Sequence, residues 1–285
     1  MGRRIVVVTD STANLPPEFM ARNMIPTIPL TIAWGGETYT DGVTLPAETF
    51  YRWLEEREEF PQTSQPAVGE FVKFFQSVAQ RTHADVILGI FISMSMSGTI
   101  AAAIQAQQML PELQIEIVDS QFVSMSLGFQ VIEAVQAAEQ GCSLEEILAL
   151  VARVRENTTQ LIAVDTLEYL HRGGRIGGAA RLMGSLLHLK PLLHIVDGQI
   201  ESLEKIRTRQ KCLRRMLEVA EEQLAGRRPL GVNVIDVLAD DVIDEFTDEV
   251  VERLNPINLY SVLATPVVGG HAGPGTLGLG FYTLD

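Results

Sequence analysis

Basic residues are concentrated in one stretch of an otherwise acidic chain. Residues 171–215 contain ten Lys or Arg and three Asp or Glu, a balance of about +7, whereas all 285 residues together carry −14. Arg172 and Arg175 flank a Gly-Gly pair at its start, and Arg207 follows later. Guanidinium groups bind carboxylates and phosphates through paired hydrogen bonds. The pattern predicts an anion site, with a solvated basic surface as the alternative interpretation.

Hydroxyl residues precede two predicted helices. Ser97 and Gly98 follow an apolar strand and open a helix, where free backbone N–H groups and the helix dipole favour an anion. Ser93 ends that strand and could add a hydroxyl to the same place. Thr63 and Ser64 form a turn before the other of these helices, predicted at 68–82. A simple helix cap at Ser97 and an ordinary turn at Thr63 are the alternatives.

His271 lies among the glycines of the segment 269–278. Glycines allow a ligand to approach closely, so this imidazole could donate a hydrogen bond to an anion. No Cys, His and carboxylate spacing indicates a metal site. The chain also lacks a P-loop, a dinucleotide-binding GxGxxG after its first strand and a GxSxG nucleophile elbow, so no cofactor is predicted.

Composition excludes several classes of protein. An apolar content of 46% suffices for a full core, and no apolar run reaches the length of a membrane span, so stable membrane insertion is not expected. The N-terminus lacks the cleavage site of a signal peptide, and two cysteines fit a reducing compartment, which predicts a cytoplasmic protein. A pI near 4.8 argues against nucleic-acid binding.

Strands and helices alternate in the first half of the chain. Apolar runs predict strands at 5–9, 86–93 and 115–119, with helical patterns between and after them. This alternation predicts a parallel sheet with crossover helices, and ligands bind such sheets beyond the carboxyl ends of the strands.

The pattern of predicted strands and helices changes in the second half of the chain. A hairpin signal at Asp197-Gly198 and further helical patterns, the first at 179–187, indicate an α+β or mixed-sheet domain. The fold class is therefore α/β with two domains, residues 1–157 and 158–285, and the ligand between them. The glycine-rich segment 269–275 is predicted to be a loop.

The segments together resemble the DegV family of bacterial fatty-acid-binding proteins, some of which are the lipid-binding subunit of fatty acid kinase. The resemblance covers essentially the whole chain, and it is the order and spacing of the motifs that make it specific. The matching motifs are Val8-Thr-Asp-Ser11, Thr63-Ser-Gln-Pro-Ala-Val-Gly-Glu-Phe71, Ser97-Gly-Thr99, Val164-Asp-Thr-Leu-Glu-Tyr-Leu-His-Arg-Gly-Gly-Arg-Ile176, Leu189-Lys-Pro191, Asp197-Gly198, Lys205-Ile-Arg-Thr-Arg209 and Gly270-His-Ala-Gly-Pro-Gly275.

The resemblance implies that a long-chain (C16–C18) fatty acid lies between the domains. Its carboxylate would be held by Thr63 and Ser93, with the Ser97-Gly98 helix start helping and His271 beside the head group. The resemblance further implies a separate ATP-dependent kinase, which phosphorylates the carboxylate for phospholipid synthesis. The arginines at 172, 175 and 207 would then lie on the side that meets the phosphoryl group and the partner.

The sequence departs from the family at Ala67, where serine is frequent, and Met94 and Met96 flank the serines in a variable stretch. The methionines are flexible gap-fillers, so they bear on acyl-chain preference more than on head-group binding. Two other functions stay open. One is an acyl hydrolase or transferase with Ser93 or Ser97 as nucleophile and His271 as base. The other is a nucleic-acid-binding regulator, which the acidic remainder of the chain disfavours.

Overall fold

The computed structural model describes residues 3–185, 189–239 and 242–284. Its strands are β1 (Ile5–Asp10), β2 (Thr27–Ile28), β3 (Thr31–Trp34), β4 (Glu37–Thr40), β5 (Gln62–Ser64), β6 (Val86–Phe91), β7 (Ile115–Asp119), β8 (Thr158–Ala163), β9 (Lys190–Val196), β10 (Gln199–Ile206), β11 (Gly231–Val237), β12 (Asn258–Leu263) and β13 (Thr276–Tyr282). Its α-helices are α1 (Pro17–Asn23), α2 (Ala47–Glu56), α3 (Val68–Thr82), α4 (Thr99–Gln108), α5 (Met125–Glu139), α6 (Leu144–Glu156), α7 (Glu168–Arg172), α8 (Arg209–Leu224), α9 (Ile243–Leu254) and α10 (Pro266–Ala272). Two 3₁₀ segments span Ser11–Ala13 and Gly177–Ser185.

The first half of the chain builds the predicted parallel sheet, in the order β2-β1-β6-β7. Every residue of β6 is buried, as expected for a parallel strand covered on both faces. Phe71 and Phe75 of α3 and the alanines of α4 pack with one face of this sheet, and α5 covers the other face. The strand predictions at 5–9, 86–93 and 115–119 are therefore confirmed, with β6 ending two residues early.

A small antiparallel sheet, β4-β3-β5, follows the start of the chain and was not predicted. Its strands have three or four residues, and β4 is largely polar, so neither length nor apolar alternation marks them in the sequence. The sheet matters for the site because the pairing of Ile32 with Thr63 fixes the position of Thr63.

The second half forms a mixed sheet in the order β10-β9-β8-β13-β11-β12. The predicted hairpin joins β9 to β10, and its two turn residues, Asp197 and Gly198, have φ angles of +48° and +77°. Two consecutive positive φ angles are what a tight two-residue hairpin turn requires. The predicted α/β class, with a parallel sheet in the first half and a mixed sheet in the second, is confirmed.

Helix α5 joins the two halves because it packs against both sheets. It contacts β1 and β6 on one side and β8, β11 and β13 on the other. Phe129 on this helix packs against Tyr282 of β13, with ring centroids 4.6 Å apart. The mixed sheet begins with β8 at Thr158, directly after α6. The proposed domain boundary at residue 157 remains a prediction.

The prediction of a loop at 269–275 is wrong for its first part. Residues up to Ala272 belong to α10, and the strand that follows, β13, is fully buried inside the mixed sheet. Glycine is needed there for close packing, because a Cβ on Gly269 would lie 2.0 Å from the Tyr51 hydroxyl oxygen. The helix predicted at 179–187 is a 3₁₀ segment as far as Ser185, and its end lies outside the described residues.

Candidate ligand-binding site

A cavity lies between the parallel-sheet part and the mixed sheet. It encloses about 870 Å³ of space, including the part that is open to solvent. Most of its wall is apolar, and the polar residues Thr63, His271 and Arg175 lie close to one another and form a cluster that we call the polar end of the cavity. The apolar lining comprises Leu30, Ile92, Met96, Val123, Ile162, Val164, Leu170, Ile200, Ile235, Val237, Val267, Val268 and Ala272. An elongated apolar molecule with one polar end matches this arrangement.

The polar end is built around a contact between Thr63 and His271. The Thr63 hydroxyl oxygen lies 2.7 Å from His271 Nε2. Thr63 comes from β5, and His271 comes from the last turn of α10. The two residues that the sequence indicated from separate motifs are therefore brought together at the cavity wall.

Burial keeps the His271 ring neutral at physiological pH. Loss of solvent, with a smaller contribution from the Arg175 charge, lowers the pKa of His271 to about 4. Its Nδ1 is buried and has no hydrogen-bond partner. The backbone of Gly173 packs against this nitrogen so closely that a Cβ there would lie 2.1 Å from it. The ring is therefore held by packing on one edge and by Thr63 on the other.

Arg175 is the arginine of the basic stretch that lines the cavity. Its Nε donates to the Met96 carbonyl at 2.9 Å, and one terminal nitrogen donates to the Gly173 carbonyl at 2.7 Å. These two bonds hold the guanidinium beside the polar end. A positive charge there favours an anionic ligand head group.

The predicted helix start lies next to the cavity, but only part of it faces inward. Ser97 lines the cavity, and its hydroxyl lies 2.8 Å from that of Thr99 and accepts from the Thr99 N–H at 3.3 Å. Gly98 is the N-cap of α4 and leaves room for Gln65, whose Nε2 would be 3.0 Å from a Cβ at position 98. Ser64 also lines the cavity.

Ser93 is placed differently from the expectation. Its side chain is fully buried, and its hydroxyl donates to the Gly198 carbonyl at 2.8 Å, which ties the end of β6 to the β9–β10 turn. It also accepts from the Ser95 N–H at 3.2 Å. Ser93 is not among the residues that line the cavity. Its hydroxyl is used within the protein, so this placement gives no support to a head-group role.

Arg172 and Arg207 lie outside the cavity. The Arg172 side chain is 46% exposed, pairs with Glu168 at 3.3 Å and lies over the Phe60 ring, 4.5 Å from its centroid. Arg207 is exposed on the segment between β10 and α8. Both positions fit contact with a partner or with solvent better than contact with a buried ligand.

Sequence patterns gave no indication of several polar residues of the wall: Gln65, Ser124, Gln160 and Thr276. Gln160 gives the clearest signal in retrospect. It is an amide inside the strand β8, which is otherwise apolar from Leu161 to Ala163, and it is 3% exposed. A buried amide on a cavity wall is a specific feature because burial without a partner is unfavourable.

The arrangement does not suit nucleophilic catalysis. A serine nucleophile needs a histidine base within hydrogen-bond reach and a third group that orients the ring. His271 Nε2 faces Thr63, its Nδ1 has no partner, and a pKa of about 4 makes it a weak base. In the described part of the chain, no group of three His, Cys, Asp or Glu side chains is placed to hold a metal ion. Nor does any described helix have the length and apolar character needed to cross a membrane.

Known proteins resemble the chain over nearly its full length. A curated DegV domain-containing protein of Halalkalibacterium halodurans is 34% identical over 279 residues, which covers 98% of each chain. A DegV family protein from Thermus thermophilus, described for its fatty acid binding, superposes with a TM-score of 0.92 at 32% identity and covers 99% of this chain and 100% of its own. A stearic-acid-binding protein from Eubacterium ventriosum gives a TM-score of 0.88 at 27% identity, with 98% of each chain covered.

The family model agrees with these relatives. Residues 4–284 match the model described as an uncharacterised protein of the DegV family. The match includes the three sheets of the described residues and every residue of the polar end described above. The chain therefore belongs to the DegV family.

Proposed function

We propose that this protein binds one long-chain fatty acid of C16–C18 length in the cavity, with the carboxylate at the polar end. The single observation that carries the proposal is the joining of an apolar cavity to the Thr63–His271 pair. Solved relatives described as fatty-acid-binding and stearic-acid-binding proteins share this fold at TM-scores of 0.92 and 0.88. Each methylene buried from water contributes roughly 0.8 kcal/mol, so a long chain supplies most of the affinity.

The head group is held by neutral donors in this proposal. With its proton on Nε2, the neutral His271 ring donates to the Thr63 oxygen, which frees the Thr63 hydroxyl to donate to the carboxylate. Ser64 and Ser97 offer further hydroxyls, and the Gly98 helix start contributes its dipole. Arg175 provides the compensating charge, because a buried carboxylate without partners would be very costly.

The protein then presents the carboxylate to a separate ATP-dependent kinase in the cytoplasm. Arg172 and Arg207 are the exposed cations that would contact the phosphoryl group or the partner. The placement of Arg172 on a short helix directly before Gly173 supports this role, since Gly173 packs on His271 at the head-group site. An acyl hydrolase acting through Ser93 or Ser97 receives no such support.

Mass spectrometry of the purified protein tests the binding proposal. Under native conditions we expect an added mass equal to one C16 or C18 fatty acid, which disappears under denaturing conditions. Protein freed of lipid should regain that mass when octadecanoic acid is added. If native protein stays bare even with excess octadecanoic acid, the cavity does not bind fatty acids and the proposed function is wrong.

A further inference from the structure

The cavity wall formed by the mixed sheet changes from apolar to polar along its strands. Residues opposite each other on neighbouring antiparallel strands share one face of the sheet and form cross-strand rows. One such row consists of Ile162, Gly278 and Ile235, all of which line the cavity. Thr276 and Val237 lie in the row nearer to α10 and His271, and the Thr276 hydroxyl donates to the carbonyl of Ala272. This part of the wall suits methylene groups.

The row on the far side of Ile162 is polar. The strand register pairs Gln160 with Gly280 and Gly280 with Asn233. Gln160 lines the cavity and is 3% exposed, yet its buried Oε1 has no hydrogen-bond partner. Asn233 is fully buried, and its Oδ1 has no partner either.

Gly280 lies between these two residues in the strand register, and its lack of a side chain leaves room for the Asn233 amide. A Cβ at this position would lie 2.3 Å from Asn233 Nδ2 and 2.5 Å from the hydroxyl oxygen of Ser126 on α5. The Asn233 amide therefore occupies the space beside the glycine, and its Nδ2 lies 3.5 Å from the hydroxyl oxygen of Ser126. Of these groups Gln160 lines the cavity, so its amide faces a position where a simple fatty acid offers only methylenes.

A buried amide needs a hydrogen-bonding partner, because leaving it unpaired sacrifices its hydration without compensation. A hydroxyl group is both a donor and an acceptor, so it satisfies the Gln160 amide in either of its two orientations. A methylene group does neither. The polar row is four residues along β13 from Thr276, roughly 13 Å at the usual rise of a strand. The matching hydroxyl therefore lies far from the carboxylate.

We propose that this cavity selects fatty acids that carry a hydroxyl group well along the acyl chain, with Gln160 as the residue that recognises it. The inference rests on the proposed function, since it assigns the substrate class of the same cavity. Gln160 acts by direct contact with the hydroxyl, whereas Asn233 and Ser126 are buried and do not line the cavity.

Competition binding with protein freed of lipid tests the inference. We expect 10-hydroxyoctadecanoic or 12-hydroxyoctadecanoic acid to bind about tenfold more tightly than octadecanoic acid, which corresponds to about 1.4 kcal/mol. The isomer 2-hydroxyoctadecanoic acid places its hydroxyl beside the carboxylate and should bind no better than octadecanoic acid. Equal affinities for all four acids would overturn the inference and leave fatty-acid binding intact. That result would mean that bound water, and not the ligand, satisfies the Gln160 amide. If none of the acids binds, the proposed function itself fails.

Substitution of Gln160 separates its role from that of the cavity as a whole. In Gln160→Leu the preference should disappear, because octadecanoic acid gains a compatible wall and the hydroxylated acids lose their partner. The matched control Thr159→Val changes the preceding residue of the same strand, whose hydroxyl donates to Gln223 and which does not line the cavity, so this variant should keep the tenfold preference. A preference that survives in a folded Gln160→Leu protein would contradict the assignment to Gln160. The comparison of acids on the unsubstituted protein stands independently of how the variant folds.

Discussion

The hydroxyl oxygen of Thr63 lies 2.7 Å from Nε2 of His271, although 208 positions separate the two residues. Thr63 is fixed by the pairing of β5 with β3, and His271 is fixed by the packing of α10. The contact therefore depends on correct assembly of both halves of the chain. It also makes the head-group site testable by substitutions that leave the apolar cavity unchanged.

Thr63→Val should weaken fatty-acid binding while preserving the shape of the wall. The variant removes the hydroxyl that faces His271 and leaves the carboxylate one donor short. A lost hydrogen bond to a charged group costs about 2 kcal/mol, so the dissociation constant of octadecanoic acid should rise more than tenfold. Isothermal titration calorimetry measures this change. Thr63→Ser should retain binding, and Thr38→Val, an exposed threonine of β4 in the same small sheet, should have no effect. Unchanged affinity in Thr63→Val would rule out a head-group role for this hydroxyl.

Arg172→Ala and Arg207→Ala should spare fatty-acid binding and impair phosphorylation by the partner kinase. Neither guanidinium lines the cavity, so the dissociation constant of the acid should stay within about twofold. Loss of a charge that meets the partner or the phosphoryl group should lower acyl-phosphate formation at least about tenfold. Arg52→Ala, an exposed arginine of α2, is the matched control. Loss of lipid binding in Arg172→Ala would contradict this division between binding and transfer.

Gly173→Ala should disturb the site through His271. The added Cβ would lie 2.1 Å from Nδ1 of that ring and 3.1 Å from the Tyr169 carbonyl, so one of these groups must move. Overpacking of this kind costs about 1–3 kcal/mol of unfolding free energy. Chemical denaturation should show this loss together with weaker binding of octadecanoic acid.

The matched control for that prediction is Gly69→Ala. Gly69 lies in the first turn of α3, and no heavy atom lies within 4 Å of a Cβ built there. Alanine should be neutral or slightly stabilising at this helical position. A Gly173→Ala protein as stable as Gly69→Ala would mean that the ring adjusts without cost.

Asp41→Asn should change how stability depends on pH. Burial raises the pKa of Asp41 to about 6, while the hydrogen bonds from Ser11 and Val267 act in the opposite direction. Between pH 4 and pH 6 the folded protein therefore keeps a proton that the unfolded chain releases, and the unfolding free energy falls as pH rises. Above pH 6 the loss is complete and amounts to about 3 kcal/mol.

Chemical denaturation of both proteins at several pH values measures this contribution. The difference between the two curves contains the ionisation of Asp41 together with its electrostatic coupling to Asp10, which also raises the pKa of Asp41. Asp41→Asn should become more stable relative to the unsubstituted protein as pH rises from 4 to 7. A difference that is independent of pH would show that Asp41 ionises at its ordinary value.

Sequence patterns predicted the elements whose signals are local. The buried strands of the parallel sheet and the Asp197-Gly198 turn belong to this class. The short strands around Thr63 and the helix at His271 could not be predicted in this way. Their conformations depend on contacts with distant residues, such as the packing of Gly269 on Tyr51.

The same distinction between local sequence signals and contacts with distant residues applies to the candidate site. Thr63 and His271 were indicated by residue type and family resemblance, and the structure joins them. Ser93 was indicated on the same grounds, but its hydroxyl donates to the Gly198 carbonyl in the hairpin turn. Gln160 was missed because only the three-dimensional register of β8 shows that it faces the cavity.

The burial of α5 between the two sheets limits how the protein can be dissected. Cutting the chain near residue 157 would leave this helix on the first fragment with its second apolar face, including Phe129, exposed to water. Exposed apolar surface of that kind promotes association and aggregation. The halves are therefore expected to unfold in one cooperative transition, and separate expression of either half should give a poorly soluble product.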